Sequence, residues 1–421
     1  MMASRRAAAV SGARTHAPHP LAGGLRFLLL SLLGALTAVS SAVLFAAVRT
    51  AKIVVTPAPR RPDTRILTLD TAAQTITVSR NPDSELPGRY GLFTAGTESY
   101  VKVGAVLSET PDTVTRKLLT HVGPGSRLAA EASFSGWYFD HPEQLHLPYT
   151  SELIGSAVGP CPAWLFPAER TGDGSGVPAG DDVWCIQVHG RGAARAECLR
   201  AVPLFHSLGI TTLVTSYRND GEAPRSRTGT YGLGSTEWRD IDAAVGFARR
   251  RGAKRVIVMG WSMGGAIAMQ LALNSAHRDR IAGLVLDSPA LDWRVILDYQ
   301  AELEHIPATV RDLAIDIMGS GWGSALIRSG QPIPFDRLDV VARARELREP
   351  TLILHSDDDG FVPSTASHAL AEARPDLVEL DVYRVARHTK LWNYDEERWN
   401  ARIRSWIEAH GLMPKGAAAG R

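Results

Sequence analysis

Ser262 lies in the run Gly260-Trp261-Ser262-Met263-Gly264-Gly265, and a serine so placed can act as a nucleophile. The short run before it, residues 255–259, reads as a strand. The small and apolar run after it, residues 264–273, reads as a helix. A serine on a sharp turn between strand and helix has strained backbone and an exposed hydroxyl. Small residues two before and two after it let strand and helix approach. The helix N-terminus then lies beneath the serine. The next backbone N–H, that of Met263, is left to hold a developing oxyanion. The chemistry such a group performs is attack on a carbonyl carbon.

That chemistry needs a second oxyanion donor, a base, and a group that orients the base. Residues 181–192 read as a strand ending in His189-Gly190-Arg191-Gly192, and the Arg191 backbone N–H is the candidate donor. The base candidate is His388. Among thirteen histidines it is set apart by following an alternating strand-like run, residues 380–385, and preceding a helix near Trp392. For the acid, a buried strand-like run, residues 350–356, leads into Asp357-Asp358-Asp359-Gly360-Phe361-Val362-Pro363. Chemistry alone leaves the choice among these three aspartates open. Asp287, in Leu286-Asp287-Ser288-Pro289, is a fourth candidate after the preceding strand.

These groups need a sheet to carry them. Strand-like runs recur at residues 183–188, 211–216, 255–259, 281–286, 351–354 and 377–385, with helical stretches such as 238–251 between them. Repeated strand–helix units favour a mostly parallel sheet with helices on both faces. Residues 172–176, Gly-Asp-Gly-Ser-Gly, read as a surface loop. From residue 291 to 330 the alternation gives way to a helical segment and the Gly-rich break Gly319-Ser320-Gly321-Trp322-Gly323. Upstream, from Arg65 to about Gly136, short strand-like runs separated by Asn81-Pro82-Asp83 and Leu86-Pro87-Gly88 read as a small β-rich module. Trp137-Tyr138-Phe139 reads as core packing or as part of a substrate entrance. Tyr217-Arg218-Asn219-Asp220 reads as a turn or as a pocket wall.

The assembled pieces resemble the α/β-hydrolase superfamily, in its bacterial esterase- and peptidase-like branch, over residues 161–411. His189-Gly190-Arg191-Gly192 resembles the family's oxyanion loop and Gly260-Trp261-Ser262-Met263-Gly264 its nucleophile elbow. Residues 355–363 resemble its H-G-x-x-D-x-x-V-P segment, with Ser356 in place of the glycine. This resemblance selects Asp359 as the acid. It implies an α/β-hydrolase fold and a cap at residues 291–330. The nucleophile, acid and histidine also follow in the family's chain order.

Composition is that of a globular protein, with 45% hydrophobic and 21% charged residues. The net charge of +2 hides an asymmetry. Residues 1–62 hold eight Lys/Arg and no Asp/Glu, and the rest holds 38 basic and 44 acidic residues. Nothing here suggests a nucleic-acid surface. Residues 27–48, opening on Phe27 and closing on Val48, carry no charged side chain and are long enough to span a bilayer. Ser40 and Ala42 suit a signal-peptide cleavage site, but the apolar run continues to Val48, which favours an uncleaved anchor. Cys161, Cys185 and Cys198 lack the spacing of a zinc site.

The expected organisation is a disordered basic arm (1–23), a transmembrane anchor (24–48), a linker (49–62), a β-rich module (63–160), the catalytic domain (161–411) and a disordered tail (412–421). The expected protein is a single-pass membrane hydrolase with its catalytic domain outside the cytoplasm. It cleaves a carboxylic ester or amide of a small molecule, a lipid or a peptide, through Ser262, His388 and Asp359, with the Met263 and Arg191 amides as oxyanion donors. No cofactor or metal is expected. A serine peptidase and an acyltransferase share this machinery. A non-catalytic, membrane-tethered binding protein on the same scaffold would give no reason to keep all three side chains.

Overall fold

The computed structural model describes residues 20–58, 61–94, 100–168 and 182–414. Most of the arm, most of the tail and the 172–176 loop lie outside these residues. The chain begins with the long helix α1 (Pro20–Val55). Six strands follow: β1 (Thr64–Asp70), β2 (Thr75–Ser79), β3 (Tyr90–Thr94), β4 (Tyr100–Glu109), β5 (Thr113–Leu118) and β6 (Glu131–Ser135). They close an antiparallel barrel in the order β1-β2-β5-β4-β3-β6. Alternation places Ile76, Val78, Leu92, Val103 and Phe134 inside it. Arg116 is fully buried there and donates to the carbonyls of Ser84, Leu86, Gly88 and Gly104.

The second sheet has eight strands: β7 (Thr150–Ser156), β8 (Gly159–Phe166), β9 (Val183–Val188), β10 (Thr211–Thr215), β11 (Arg255–Trp261), β12 (Ile281–Asp287), β13 (Thr351–Ser356) and β14 (Val378–Tyr383). Their order is β14-β13-β12-β11-β9-β10-β8-β7. β8 is antiparallel to both neighbours, and the six strands from β10 to β14 are parallel. β9, β10 and β13 are buried at every position, as strands covered on both faces must be.

The helices are α2 (Val202–Ser207), α3 (Trp238–Arg250), α4 (Met263–Asn274), α5 (Trp293–Leu303), α6 (Ala308–Gly319), α7 (Gly321–Ile327), α8 (Phe335–Leu338), α9 (Thr365–Ala373), α10 (Leu391–Tyr394) and α11 (Glu396–Ala409). On one face Ile241, Ala244, Ile267 and Leu271 of α3 and α4 pack against the sheet. On the other, Phe205 of α2 and Trp399, Ile403 and Trp406 of α11 do the same. After β9 and β10 the chain returns to β9's opposite side with β11. That reversal opens a crevice at the carboxyl ends of β9 and β11, where ligands bind in such sheets.

Three boundaries differ from the sequence expectation. The β-rich module was expected to reach residue 160, but the barrel ends at Ser135 and β7 and β8 pair into the large sheet. Strand patterning marks a strand and does not name its sheet. The helices inserted between β12 and β13 continue past residue 330 to Leu338. The segment 49–55, expected as linker, is helical to Val55. Arg49 and Lys52 point to solvent, while Ala47, Ala51 and Val55, four residues apart, form a fully buried stripe. This stripe packs against α6 and α7. Pro57 stops the helix, because the residue before a proline avoids helical backbone. From Leu25 to Ala42 the helix is exposed, and residues 25–55 are long and apolar enough to cross a membrane.

The barrel rim sits on the segment between β14 and α11. The Arg89 N–H donates to Asn393 O at 3.2 Å, and Asn393 Nδ2 donates to Arg89 O at 2.8 Å. Arg89 also pairs with Glu396. Gly88, at φ 108°, lies so close that a Cβ there would stand 2.0 Å from Asn393 O.

Candidate active site

Ser262 occupies the turn between β11 and α4 at φ 51°, ψ −116°. Such backbone costs about 1–3 kcal/mol in a non-glycine residue and persists only where the surroundings enforce it. The enforcement is visible. Ser262 N–H donates to Asp287 O at 3.0 Å, and Ser262 O accepts from Gly265 N at 2.9 Å and Ala290 N at 3.0 Å. A Cβ on Gly264 would meet Val188 O at 2.1 Å, so only glycine lets α4 start this close to β9.

His388, in the loop after β14, places Nε2 3.0 Å from Ser262 Oγ and Nδ1 2.7 Å from Asp359 Oδ2. Asp359 is buried in the turn after β13, and its Oδ1 accepts from the Phe361 and Val362 N–H groups, each at 2.8 Å. Burial works against its charge. The nearby His388 and His355 and their hydrogen bonds outweigh it and hold the carboxyl well below the usual range. Asp359 is therefore ionised and accepts from Nδ1–H. The other nitrogen, Nε2, is then the acceptor facing the serine hydroxyl.

The remaining aspartates have other partners. Asp357 meets Ser364 Oγ at 2.7 Å and His368 Nε2 at 2.9 Å, and Asp358 meets Arg387 at 3.3 Å. Asp287 accepts from Ser288 Oγ and Trp399 Nε1, both at 3.0 Å, and burial pushes its carboxyl above the ordinary value.

The loop after β9 approaches from the opposite side. A Cβ on Gly190 would lie 3.3 Å from Ser262 Cβ. Gly190 N–H is taken by Glu197 Oε2 at 2.8 Å, and Gly190 O accepts from Tyr217 Oη at 3.0 Å and faces His189 Nδ1 at 2.9 Å. In a trans peptide the carbonyl and the following N–H point in opposite directions. Fixing Gly190 O in this pocket therefore turns the Arg191 N–H away from it. Among the described residues, neither Arg191 N–H nor Met263 N–H has a hydrogen-bond partner.

His189 itself is buried at 3.0 Å from Asp220. Burial disfavours its charge, but the Asp220 carboxylate prevails and raises its pKa. The Arg191 side chain turns outward to α1: Nε donates to Val54 O at 3.0 Å and Nη2 to Ile53 O at 2.5 Å. Tyr231 N–H takes Val55 O at 2.7 Å. Sequence reading considered only the backbone of Arg191. Tyr217 was read only as part of a turn or pocket wall, and no local signal pointed to Glu197 or Tyr231.

A cavity of about 400 Å³ lies beside this loop, lined in part by Pro57, Trp137, Gly192, Asn219, Asp220 and Tyr231. Trp137 and the Asn219-Asp220 turn thus both reach a pocket wall, while Arg218 is tied to Asp240 and Tyr138 is buried. From the inserted helices, Tyr299 Oη donates to Asp359 O at 3.2 Å and Gln300 to Phe361 O at 2.9 Å, which couples α5 to the acid turn. The Phe361 ring lies 5.2 Å from the His388 ring and is partly exposed to solvent. Among the described residues no group of His, Cys, Asp and Glu is arranged to hold a metal ion.

With this geometry in view, comparison with known proteins defines the class. The alpha/beta hydrolase family matches residues 179–402, and the chain belongs to that family. Residues 65–135, the barrel, match a domain of unknown function, DUF8805. Among curated relatives, the pimeloyl-[acyl-carrier protein] methyl ester esterase of Aliivibrio fischeri is 23% identical, covering 41% of this chain and 77% of its own length. The protein so described in Photorhabdus laumondii is 28% identical, covering 35% and 67%. Among solved structures, an esterase of Pyrococcus furiosus is 20% identical over 64% of this chain and 94% of its own, with a TM-score of 0.48. Est1E of Butyrivibrio proteoclasticus, with ferulic acid bound, is 17% identical over 62% and 99%, with a TM-score of 0.45.

Proposed function

We propose that this chain is a serine esterase in which Ser262 is the nucleophile, His388 the general base and Asp359 the orienting acid. The observation that carries the reading is the continuous chain Ser262 Oγ–His388 Nε2–His388 Nδ1–Asp359 Oδ2 at 3.0 and 2.7 Å on a strained turn. His388 Nε2 takes the hydroxyl proton as Oγ attacks the ester carbonyl. The oxyanion is held by the N–H groups of Met263 and Arg191. Collapse expels the alcohol, which takes the proton from His388. Water, activated by His388 in turn, attacks the acyl-enzyme and frees the acid. Each backbone donor at such an oxyanion is worth on the order of 10²–10³ in kcat.

A carboxylic ester is the favoured substrate because the curated relatives carry ester-hydrolase names. An amide substrate and acyl transfer would use the same groups. The exposed part of α1 within residues 27–48, which ends at Ala42, is read as a membrane anchor, with the catalytic domain outside the cytoplasm. The short arm precedes a single span, and a long domain translocates largely regardless of its charge. Protease treatment of spheroplasts that leaves the C-terminal domain intact until lysis would overturn that orientation. For the chemistry, a fluorophosphonate should label the wild type and not Ser262→Ala, and p-nitrophenyl ester hydrolysis should be lost with it. Full labelling of a folded Ser262→Ala protein would overturn the assignment.

A further inference from the structure

His388 sits between two cations, Arg387 and Lys390, and both turn to the barrel. Lys390 Nζ lies 3.2 Å and Arg387 Nε 3.6 Å from the same oxygen of Asp83, in the barrel turn between β2 and β3. Arg387 also reaches Asp358 at 3.3 Å. The residue after His388, Thr389, is at φ 52° and is held from both sides. Its N–H donates to Ser288 Oγ at 3.1 Å, and its carbonyl accepts from Arg200 Nη1 at 2.7 Å. That same Arg200 nitrogen donates to Gly136 O, just past the barrel's last strand, at 2.8 Å and to Asn393 Oδ1 at 2.8 Å. Together with the Gly88 and Arg89 contacts to Asn393, these bonds hold the segment 387–396 between the barrel rim and the Ser288 and Arg200 side chains of the large-sheet domain.

We propose that the barrel is the positioning module of the His388 loop, with Asp83 as its key residue. The inference rests on reading His388 as the general base. The physical argument has two parts. First, a displacement of about 1 Å at a reacting group can cost on the order of 100-fold in rate, and Asp83 and Arg89 of the barrel are among the loop's fixed points. Second, the base becomes an imidazolium during the reaction. Two cations flank it in sequence, and Asp83 and Asp358 offset them while Asp359 bonds the ring directly. Without Asp83, Arg387 and Lys390 would oppose that charge more strongly. Asp83 does not touch the reacting atoms.

The test uses the full chain in detergent. In Asp83→Asn, kcat should fall with KM unchanged, and the acid limb of the kcat/KM profile should move to lower pH, because the imidazolium is less stable. Asp83→Glu should restore both in large part. Gly88→Val, whose side chain would strike Asn393 O, should lower kcat roughly tenfold to 100-fold with KM within about twofold. Wild-type kcat and an unmoved acid limb in folded Asp83→Asn would overturn the proposal, as would wild-type kcat in folded Gly88→Val. Ser262→Ala, run alongside, separates the two readings. If it keeps turnover, the triad reading fails. If it loses turnover while the Asp83 and Gly88 variants keep theirs, only the barrel's role fails.

Discussion

Replacing Asp359 by asparagine changes one atom and should reverse the tautomer of His388. In the wild type, Asp359 Oδ1 accepts two backbone N–H groups and Oδ2 accepts from His388 Nδ1. An asparagine must keep its carbonyl oxygen on the two N–H groups, since its amide would meet them donor to donor. Its NH₂ then faces Nδ1. His388 is forced to accept at Nδ1 and carry its proton on Nε2, where it can no longer take the proton of Ser262. Reversing the tautomer in this way costs about 10⁴ in kcat, equivalent to about 5.4 kcal/mol of barrier. KM should change little, because Asp359 is buried behind the histidine. Asp359→Ala, which leaves the tautomer to solvent, should lose less. Steady-state hydrolysis of a p-nitrophenyl ester with parallel thermal melts measures this. Retention of more than about a tenth of kcat by folded Asp359→Asn would refute the tautomer argument.

The neighbouring carboxylates give a control panel: Asp287→Asn and Asp357→Asn should keep kcat within about tenfold of wild type, since neither bonds His388, and an Asp287→Asn enzyme as dead as expected for Asp359→Asn would move the acid to β12. Acid stability should follow from the depressed Asp359 pKa. The folded value lies below the unfolded one, so its contribution is present above about pH 4 and is lost as pH falls further. Urea midpoints should therefore drop more steeply below about pH 4 in wild type than in Asp359→Asn, and parallel curves would contradict the assignment. Burial pushes the Cys161 thiol up to about 11 and lifts Cys185 and Cys198 well above their ordinary value. Iodoacetamide at neutral pH should leave all three unmodified until the protein is unfolded, as mass spectrometry would show.

What the sequence made legible was whatever is written locally. The elbow around Ser262 and the His-Gly-x-Gly turn are strand ends with their chemistry attached. His388 stood out by its place after the last strand. Asp359 needed the resemblance, because three adjacent aspartates offer the same chemistry and only the turn decides which one reaches the imidazole. The supports of the site were not legible. Arg89 and Glu396 are 307 residues apart, and Arg200 and Asn393 are 193 apart. A pattern reading sees each as an ordinary surface charge or amide. The docked end of α1 was hidden for a different reason. Ala47, Ala51 and Val55 suit a lipid surface and a protein surface equally well, so hydropathy cannot tell which one they meet.

The junction of α1 with the domain has a consequence for where substrate is sampled. A helix that ended in a slack tether would let its enzyme sweep a hemisphere of solution. Here the last carbonyls of α1 are held by Arg191 and Tyr231, and its buried stripe lies on α6 and α7. Ile53, the first residue gripped by Arg191, lies eleven residues beyond Ala42, where the fully exposed stretch of α1 ends, or about 16 Å along the axis. For a chain anchored through that exposed stretch, the catalytic domain is thus carried at a set height and attitude close to the bilayer. Such an enzyme surveys an area and not a volume. Its turnover on an amphiphilic ester should track the number of molecules per unit of membrane surface, and diluting the surrounding buffer should leave it unchanged.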